Sequence, residues 1–140
     1  AYEFVSRDWR SDVCSSDLLA AARCPVIHAP LSDRDDLYAA AGVVAFPSTW
    51  EGFGNPPVEA SLALRPVVVG SYPVVQELRD LGFSWFDADD LGPLRTWLES
   101  PADHRQALLT ADRAVAVREL SLDRMADRLE SLLSTAGWLP

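Results

Sequence analysis

The sequence predicts an α/β domain built on a parallel, doubly wound sheet flanked by helices. Short apolar runs of β-branched residues, Val43 to Phe46 and Pro66 to Val69, read as strands covered on both faces, because a strand with one wet face would alternate apolar and polar residues. Stretches of helix formers with apolar residues at three- and four-residue spacing separate these runs. Gly or Pro punctuates most junctions, so strand and helix alternate at the spacing of βαβ units.

Taken in order, Pro25 to Ala29 is a short β-branched run and a plausible strand. Ser32 and Asp33 are good N-cap types, and the helix they open runs to Ala41 with Leu37, Tyr38 and Ala41 at helical spacing, stopped by Gly42. Val43 to Phe46 is a central-looking strand, and Pro47 to Gly54 is the loop that leaves its carboxyl end. Asn55 caps the next helix, with Pro56 at its first position, where a missing N–H costs nothing. That helix is expected to reach about Leu64.

Pro66 to Val69 is a buried strand followed by Gly70, Tyr72 to Asp80 a helix stopped by Gly82, and Phe83 to Phe86 a short strand. Asp89 to Ser100, Pro101 to Leu120 and Ser121 to Thr135 read as three further helices. In the last, Leu122, Met125, Ala126, Leu129 and Leu132 form one apolar stripe, for which ordinary core packing is the expectation.

The 140 residues are 49% hydrophobic and 24% charged, enough apolar material for one core. No apolar run reaches the roughly 18 residues that cross a bilayer. No basic segment followed by an apolar one opens the chain, so no secretory signal is visible. Net charge is −9, and all 12 basic residues are Arg. An acidic chain of this kind does not hold nucleic acid by general electrostatics. It also makes a poor diphosphate site on its own, unless backbone N–H groups or a partner domain supply positive potential.

The only two cysteines, Cys14 and Cys24, suit a reducing cytoplasm better than a disulfide scaffold. His28 and His104 stand alone, without metal-ligand spacing. The Arg, Ala, Leu and Asp bias fits a GC-rich bacterial genome.

Asp8 to Leu18 (D-W-R-S-D-V-C-S-S-D-L) resembles one translated frame of a common sequencing-library adapter, departing from it only at Arg10. The expected organisation is therefore a non-native leader over 1–18, then a partial domain over 19–140, the carboxyl-terminal piece of something larger.

The loop and helix from Ser48 to Ser61 (S-T-W-E-G-F-G-N-P-P-V-E-A-S) carry the chemistry. In parallel sheets, ligands bind beyond the carboxyl ends of the strands, where this loop lies. Gly52 and Gly54 flank Phe53, so the backbone can turn sharply and approach a ligand closely. The helix behind them offers free N–H groups and the positive end of its dipole, which suits a phosphate. Pro56 and Pro57 remove some of those donors and leave Gly54, Asn55 and Val58 as the expected givers. Glu51 and Glu59 lie on either side of the turn, and a carboxylate can accept from two neighbouring hydroxyls at once. Two such groups around a phosphate have the layout of a sugar nucleotide. The plainer alternative is that Glu59 complements the helix dipole and Glu51 is a solvated loop residue.

The motif resembles that of the retaining GT-B glycosyltransferases, the group 1 enzymes of family four. Glu51, Gly52, Phe53, Gly54 and Glu59 match the E-G-F-G signature and its E-x7-E spacing. The D-L-Y of Asp36 to Tyr38, the F-P-S of Phe46 to Ser48, and the E-A-S and P-V-V-V after the motif match the surrounding frame. The likeness runs from about Pro25 to Leu133. It implies the carboxyl-terminal, Rossmann-like donor domain of a GT-B fold. It also implies hexose transfer from a nucleotide-diphosphate sugar, used as substrate with no further cofactor.

By position, the resemblance assigns Glu59 to the ribose hydroxyls and makes Glu51 the catalytic-site carboxylate facing the transferred hexose. It puts the backbone of Gly52, Phe53 and Gly54 against hexose and phosphates, with Asn55 opening the helix behind them. Val26 to Pro30 would lie near the base, and His28 would either contact the nucleotide or, the plainer alternative, be a packed or solvent-facing histidine. The acceptor, whether sugar, lipid or small molecule, would sit on a domain outside this chain, through which peripheral membrane association could also arise. Catalysis in such enzymes is mostly positioning and stabilisation of the departing diphosphate.

The chain departs from the family in four ways. It lacks the upstream basic pair that holds the diphosphate: Arg23 and Arg34 are the only candidates past the adapter-like stretch. It lacks the acceptor domain. It carries Leu64 where a helix-ending Gly is usual, and Gly70-Ser71-Tyr72-Pro73 in place of a Gly-Gly loop, which alters the wall opposite Glu51. Weak or no transfer by the chain alone is therefore expected. Two other readings remain, a non-catalytic GT-B-like nucleotide-binding or scaffold domain and an epimerase that cleaves a sugar nucleotide.

Overall fold

The computed structural model describes Phe4–Val5, Val26–Ile27 and residues 34–138. The chain divides into two compact units, Ala1–Ala41 and Gly42–Pro140.

In the first unit, β1 (Phe4–Val5) and β2 (Val26–Ile27) pair in parallel, with Phe4 opposite Val26 and Val5 opposite Ile27. Helix α1 (Arg34–Ala40) follows and closes with the Ala41 N–H on the Tyr38 carbonyl at 3.2 Å. Its body matches the expected helix. Arg23, His28 and the capping pair Ser32 and Asp33 lie outside the described residues, as does the whole adapter-like stretch.

The second unit is built on a three-stranded parallel sheet in the order β3 (Val44–Phe46), β4 (Val67–Val69), β5 (Phe86–Asp87). Val44, Ala45 and Phe46 face Val67, Val68 and Val69 across the ladder, and Val68 and Val69 face Phe86 and Asp87. The expected α/β class with a parallel sheet flanked by helices is what forms. Among the described strands of this unit β4 lies between β3 and β5: all three valines of β4 are buried, whereas β3 is half-buried along its length.

The helices are α2 (Asn55–Leu62), α3 (Pro73–Asp80), α4 (Gly92–Glu99), α5 (Ala102–Leu120) and α6 (Leu122–Thr135). Helix α2 lies on β3 and β4 and against α5, and α6 lies against α5. The core gathers Val58, Ala60, the β4 valines, Val75, Leu78, Phe83, Trp85, Val115 and Ala116. Arg79, in the last turn of α3, donates to the Asp87 carboxylate at 2.8 Å and to the Trp85 carbonyl at 3.3 Å, fixing that helix end to β5.

Three local differences from the sequence reading have identifiable causes. Strand β5 begins at Phe86 rather than Phe83, because the Ser84 N–H goes to the Asp112 carboxylate of α5 at 2.8 Å instead of to a neighbouring strand. Phe83 and Trp85 are still core residues, stacked at 4.5 Å. Helix α4 begins at Gly92 rather than Asp89, because the Asp90 side chain accepts the Gly92 N–H at 2.9 Å and turns the chain first.

The third difference is the apolar stripe of α6. It is not core packing: Leu122, Met125, Leu129 and Leu132 are 77, 60, 55 and 68% exposed, and no residue of α6 is buried. Helix α5 spends its buried positions, Asp112, Val115 and Ala116, elsewhere. The link between α5 and α6 is polar, with Arg128 donating to the Glu119 carboxylate at 2.9 Å and to the Glu119 carbonyl at 3.1 Å. Among the described residues no helix is long and apolar enough to cross a membrane.

Candidate functional site

The loop 47–54 leaves β3 at the carboxyl edge of the sheet and turns directly into α2. Its shape is set by two close approaches. Gly70 follows β4 and donates its N–H to the Phe46 carbonyl at 2.9 Å, extending the β3–β4 pairing by one residue. A Cβ on Gly70 would run into the Ser48 carbonyl oxygen and the Pro47 backbone, so only glycine lets the two strand exits pass this closely.

The second approach is at Gly54. This residue is buried, with φ 83° and ψ 63°, the left-handed region that glycine enters without strain. A Cβ on it would collide with the Tyr72 hydroxyl.

Gly54 is the cap residue of α2, and Asn55 is the first helical residue rather than the cap. This corrects the expected start by one position and puts Pro56 and Pro57 second and third. No side chain caps the helix. With neither proline carrying an N–H, the free donors at this end belong to Gly54 and Asn55. Val58 is buried against the core.

Glu51 is half-buried in the loop, Gly52 and Phe53 are exposed, and Asn55 is exposed at the helix start. Glu59 is half-buried and stands four residues after Asn55, hence on the same helix face, with its side chain leaning back towards the N-terminus. The structure thus puts Gly54 and Asn55 at the start of one short helix and Glu59 one turn further on the Asn55 face, with Glu51, Gly52 and Phe53 in the turn that feeds it. Next to Glu51, Trp50 is 82% exposed.

The helix is seated by a residue outside the expected site. Ser61, buried, donates to the Pro57 carbonyl at 3.0 Å and accepts from Trp85 Nε1 at 2.8 Å. This pins α2 to the segment leading into β5. Nothing in the E-A-S run distinguishes that role from an ordinary helix serine, because the partner lies 24 residues away in sequence.

A second unexpected residue is Tyr72. It precedes α3 as its cap residue, meets Phe46 edge-on at 6.3 Å, and is 5% exposed beneath Gly54. Burial pushes its phenol above the ordinary tyrosine range, and the nearby Glu51 charge pushes in the same direction. The signal was present in the replacement of a Gly-Gly loop by Gly70-Ser71-Tyr72-Pro73, which the sequence could place near Glu51 but not orient.

Among the described residues, no group of three His, Cys, Asp or Glu side chains is arranged to hold a metal ion.

Comparison with known proteins gives partial matches. The chain is 41% identical over 54 residues to the O-antigen chain mannosyltransferase RfbU of Salmonella typhimurium, a match covering 39% of this chain and 15% of that protein. It is 45% identical over 49 residues to the mannosylglucosylglycerate synthase of Petrotoga mobilis, covering 34% of this chain and 11% of that protein. The chain thus matches only a small part of the length of either relative. No protein-family model matches it, and no solved structure does. These matches relate part of the chain to glycosyltransferases.

Proposed function

We propose that this chain is the donor-gripping part of a GT-B glycosyltransferase of family four, which moves a hexose from a nucleotide-diphosphate sugar to an acceptor with retention. The observation that carries the reading is the E-G-F-G turn at the carboxyl edge of a parallel sheet, opening directly into a helix with Glu59 on the Asn55 face. In this reading Glu59 accepts from the two ribose hydroxyls. Glu51 faces the hexose, and the backbone of Gly52, Phe53 and Gly54 lines hexose and phosphates. The free N–H groups of Gly54 and Asn55 meet the diphosphate at the positive end of α2.

The remaining positive charge comes from upstream of the motif, where the family places its basic pair, and the acceptor binds on a separate domain of the parent enzyme. As the diphosphate departs, negative charge grows where those donors point, and stabilising that charge is the main catalytic contribution. Both partial relatives carry mannosyl in their names, which favours a mannosyl donor.

Calorimetric titration of the purified chain with GDP-mannose and UDP-glucose tests the reading. Binding is expected for at least one of them, weakened by about tenfold or more in Glu59→Ala, the effect of losing hydrogen bonds to a charged group. Absence of binding, or binding indifferent to both Glu51→Ala and Glu59→Ala, would overturn it in favour of a scaffold domain.

A further inference from the structure

The Tyr72 hydroxyl is buried, and it has no hydrogen-bond partner among the described residues. Buried hydroxyls are almost always bonded, because leaving one unpaired forfeits its hydration without return. An exception packed directly beneath Gly54 calls for a partner that arrives in another state of the site.

The backbone offers little. The Tyr72 carbonyl already accepts the Val75 N–H at 3.1 Å, the Phe46 carbonyl accepts from Gly70, and the Gly54 carbonyl faces along α2 as that of its cap residue. Glu51 stands three residues before Gly54. Between them, Gly52 has open space on the face where a side chain would stand, so the turn has room to re-aim Glu51. An ionised carboxylate only accepts, and an O–H···O⁻ bond is among the stronger hydrogen bonds available to a protein.

We infer that Tyr72 is the positioning residue of this loop, and that its hydroxyl donates to the Glu51 carboxylate when ligand draws the turn inward. One carboxylate oxygen is then fixed by the phenol and the other is left for a sugar hydroxyl. The ligand-drawn closure, and with it the pairing, rests on the donor-site reading above; the nearness of Tyr72 to the turn that carries Glu51 rests on the packing around Gly54. The phenol holds Gly54 from behind, so the same side chain sets the turn and aims its acid.

Two measurements on the full 140-residue chain separate the inference from the donor reading. Without ligand, spectrophotometric titration of the phenols should show a late step that is missing in Tyr72→Phe. That step should move to lower pH in Glu51→Gln, where the neighbouring charge is gone. A step that stays in place overturns the pairing, whatever the chain binds.

With GDP-mannose, Tyr72→Phe should weaken binding by about tenfold, the scale of a hydrogen bond to a charged group. Its melting temperature should stay level or rise, since an unpaired hydroxyl has been removed. In the Glu51→Gln background the same change should have little further effect. Unaltered binding by Tyr72→Phe, or losses that simply multiply, overturns the positioning role. A chain that shows the phenol shift but binds no sugar nucleotide keeps Glu51 beside Tyr72 but sinks the donor reading, and the ligand-drawn pairing with it.

Discussion

Helix α2 carries prolines at its second and third positions, no side-chain cap, and a leucine in left-handed conformation beyond its end. Helix α6 carries a serine cap that accepts the Arg124 N–H at 3.2 Å, an acidic first turn, and Gly137 at the corresponding place past its end. By local rules α6 is the better helix. Yet α2 buries Pro57, Val58, Ala60 and Ser61 and presents the site, while α6 buries nothing. Local signals tell where a helix can form, and packing tells which helix the fold depends on. The region around α2 should therefore be fragile to small changes of fit, and α6 tolerant of large ones.

The largest expected effect is at the floor of the loop. Gly70→Ala places a methyl group against backbone that no side-chain rotation can move, and should cost about 3 kcal/mol or more. Gly137→Ala, beyond α6, meets nothing within 4 Å and incurs only left-handed strain, about 1–2 kcal/mol. Urea unfolding of the two variants gives the ranking directly. A cheaper Gly70→Ala would break the comparison.

Next comes Ser61→Ala, which strands the buried Trp85 N–H and should cost about 2 kcal/mol. Leu129→Ala removes far more apolar volume but from an exposed face, and should change stability by no more than about 0.5 kcal/mol. Equal losses would mean that the α6 stripe is covered in solution.

The same contrast explains what was legible in the sequence. The turn from Glu51 to Gly54, the strand after it and the helix order could be read because each rests on local chemistry: glycine at a turn, β-branched runs in a covered sheet, and periodicity. Tyr72 under Gly54, Ser61 under Trp85 and Asp112 on Ser84 could not, because each is a contact between distant segments whose residue types have many other uses. The stripe on α6 is legible in the sequence as a pattern but not as a surface, since periodicity reports a one-sided helix and not what covers that side. The roles of Glu51 and Glu59 rest on resemblance and on the proposal above.

A smaller effect separates the two regions by sign. Burial pushes the Asp112 carboxyl up to about 6, against the opposing pull of its bond from Ser84. Glu119, at the α5–α6 link, is held below the usual carboxylate range, chiefly by the hydrogen bond from Arg118. A carboxyl raised on folding binds its proton more tightly in the native chain. Its stabilising contribution is thus present below its unfolded value of 3.8 and lost as pH rises through about 6. Glu119 contributes in the opposite sense, favouring the fold above its ordinary range and losing that contribution as pH falls. Asp112→Asn keeps an acceptor for Ser84 but cannot titrate. Between pH 7 and 5 the wild type should gain about 1 kcal/mol relative to D112N, after discounting for solvent access. Glu119→Gln should leave that window unchanged, since its own lies lower. A difference of opposite slope would show that the Ser84 bond outweighs burial at Asp112.

The smallest effect concerns one turn type written with two residues. Both helices end in the same pair of bonds: after α2, Leu64 N–H to Ser61 O at 3.1 Å and Arg65 N–H to Ala60 O at 2.9 Å; after α6, Gly137 N–H to Ser134 O at 3.0 Å and Trp138 N–H to Leu133 O at 2.9 Å. The pivot is Leu64 at φ 57° in the first and Gly137 at φ 72° in the second. A leucine there is strained by about 1–2 kcal/mol, whereas glycine loses about 0.5–1 kcal/mol of chain entropy on folding. Leu64→Gly should therefore stabilise the chain by about 0.5 kcal/mol once the half-buried side chain is lost, and Gly137→Leu should destabilise it by a similar amount. Thermal unfolding of both variants reads the pair. If Leu64→Gly destabilises, the leucine side chain is part of what seats α2, and the packing that overrides poor local chemistry in this helix extends beyond its last turn.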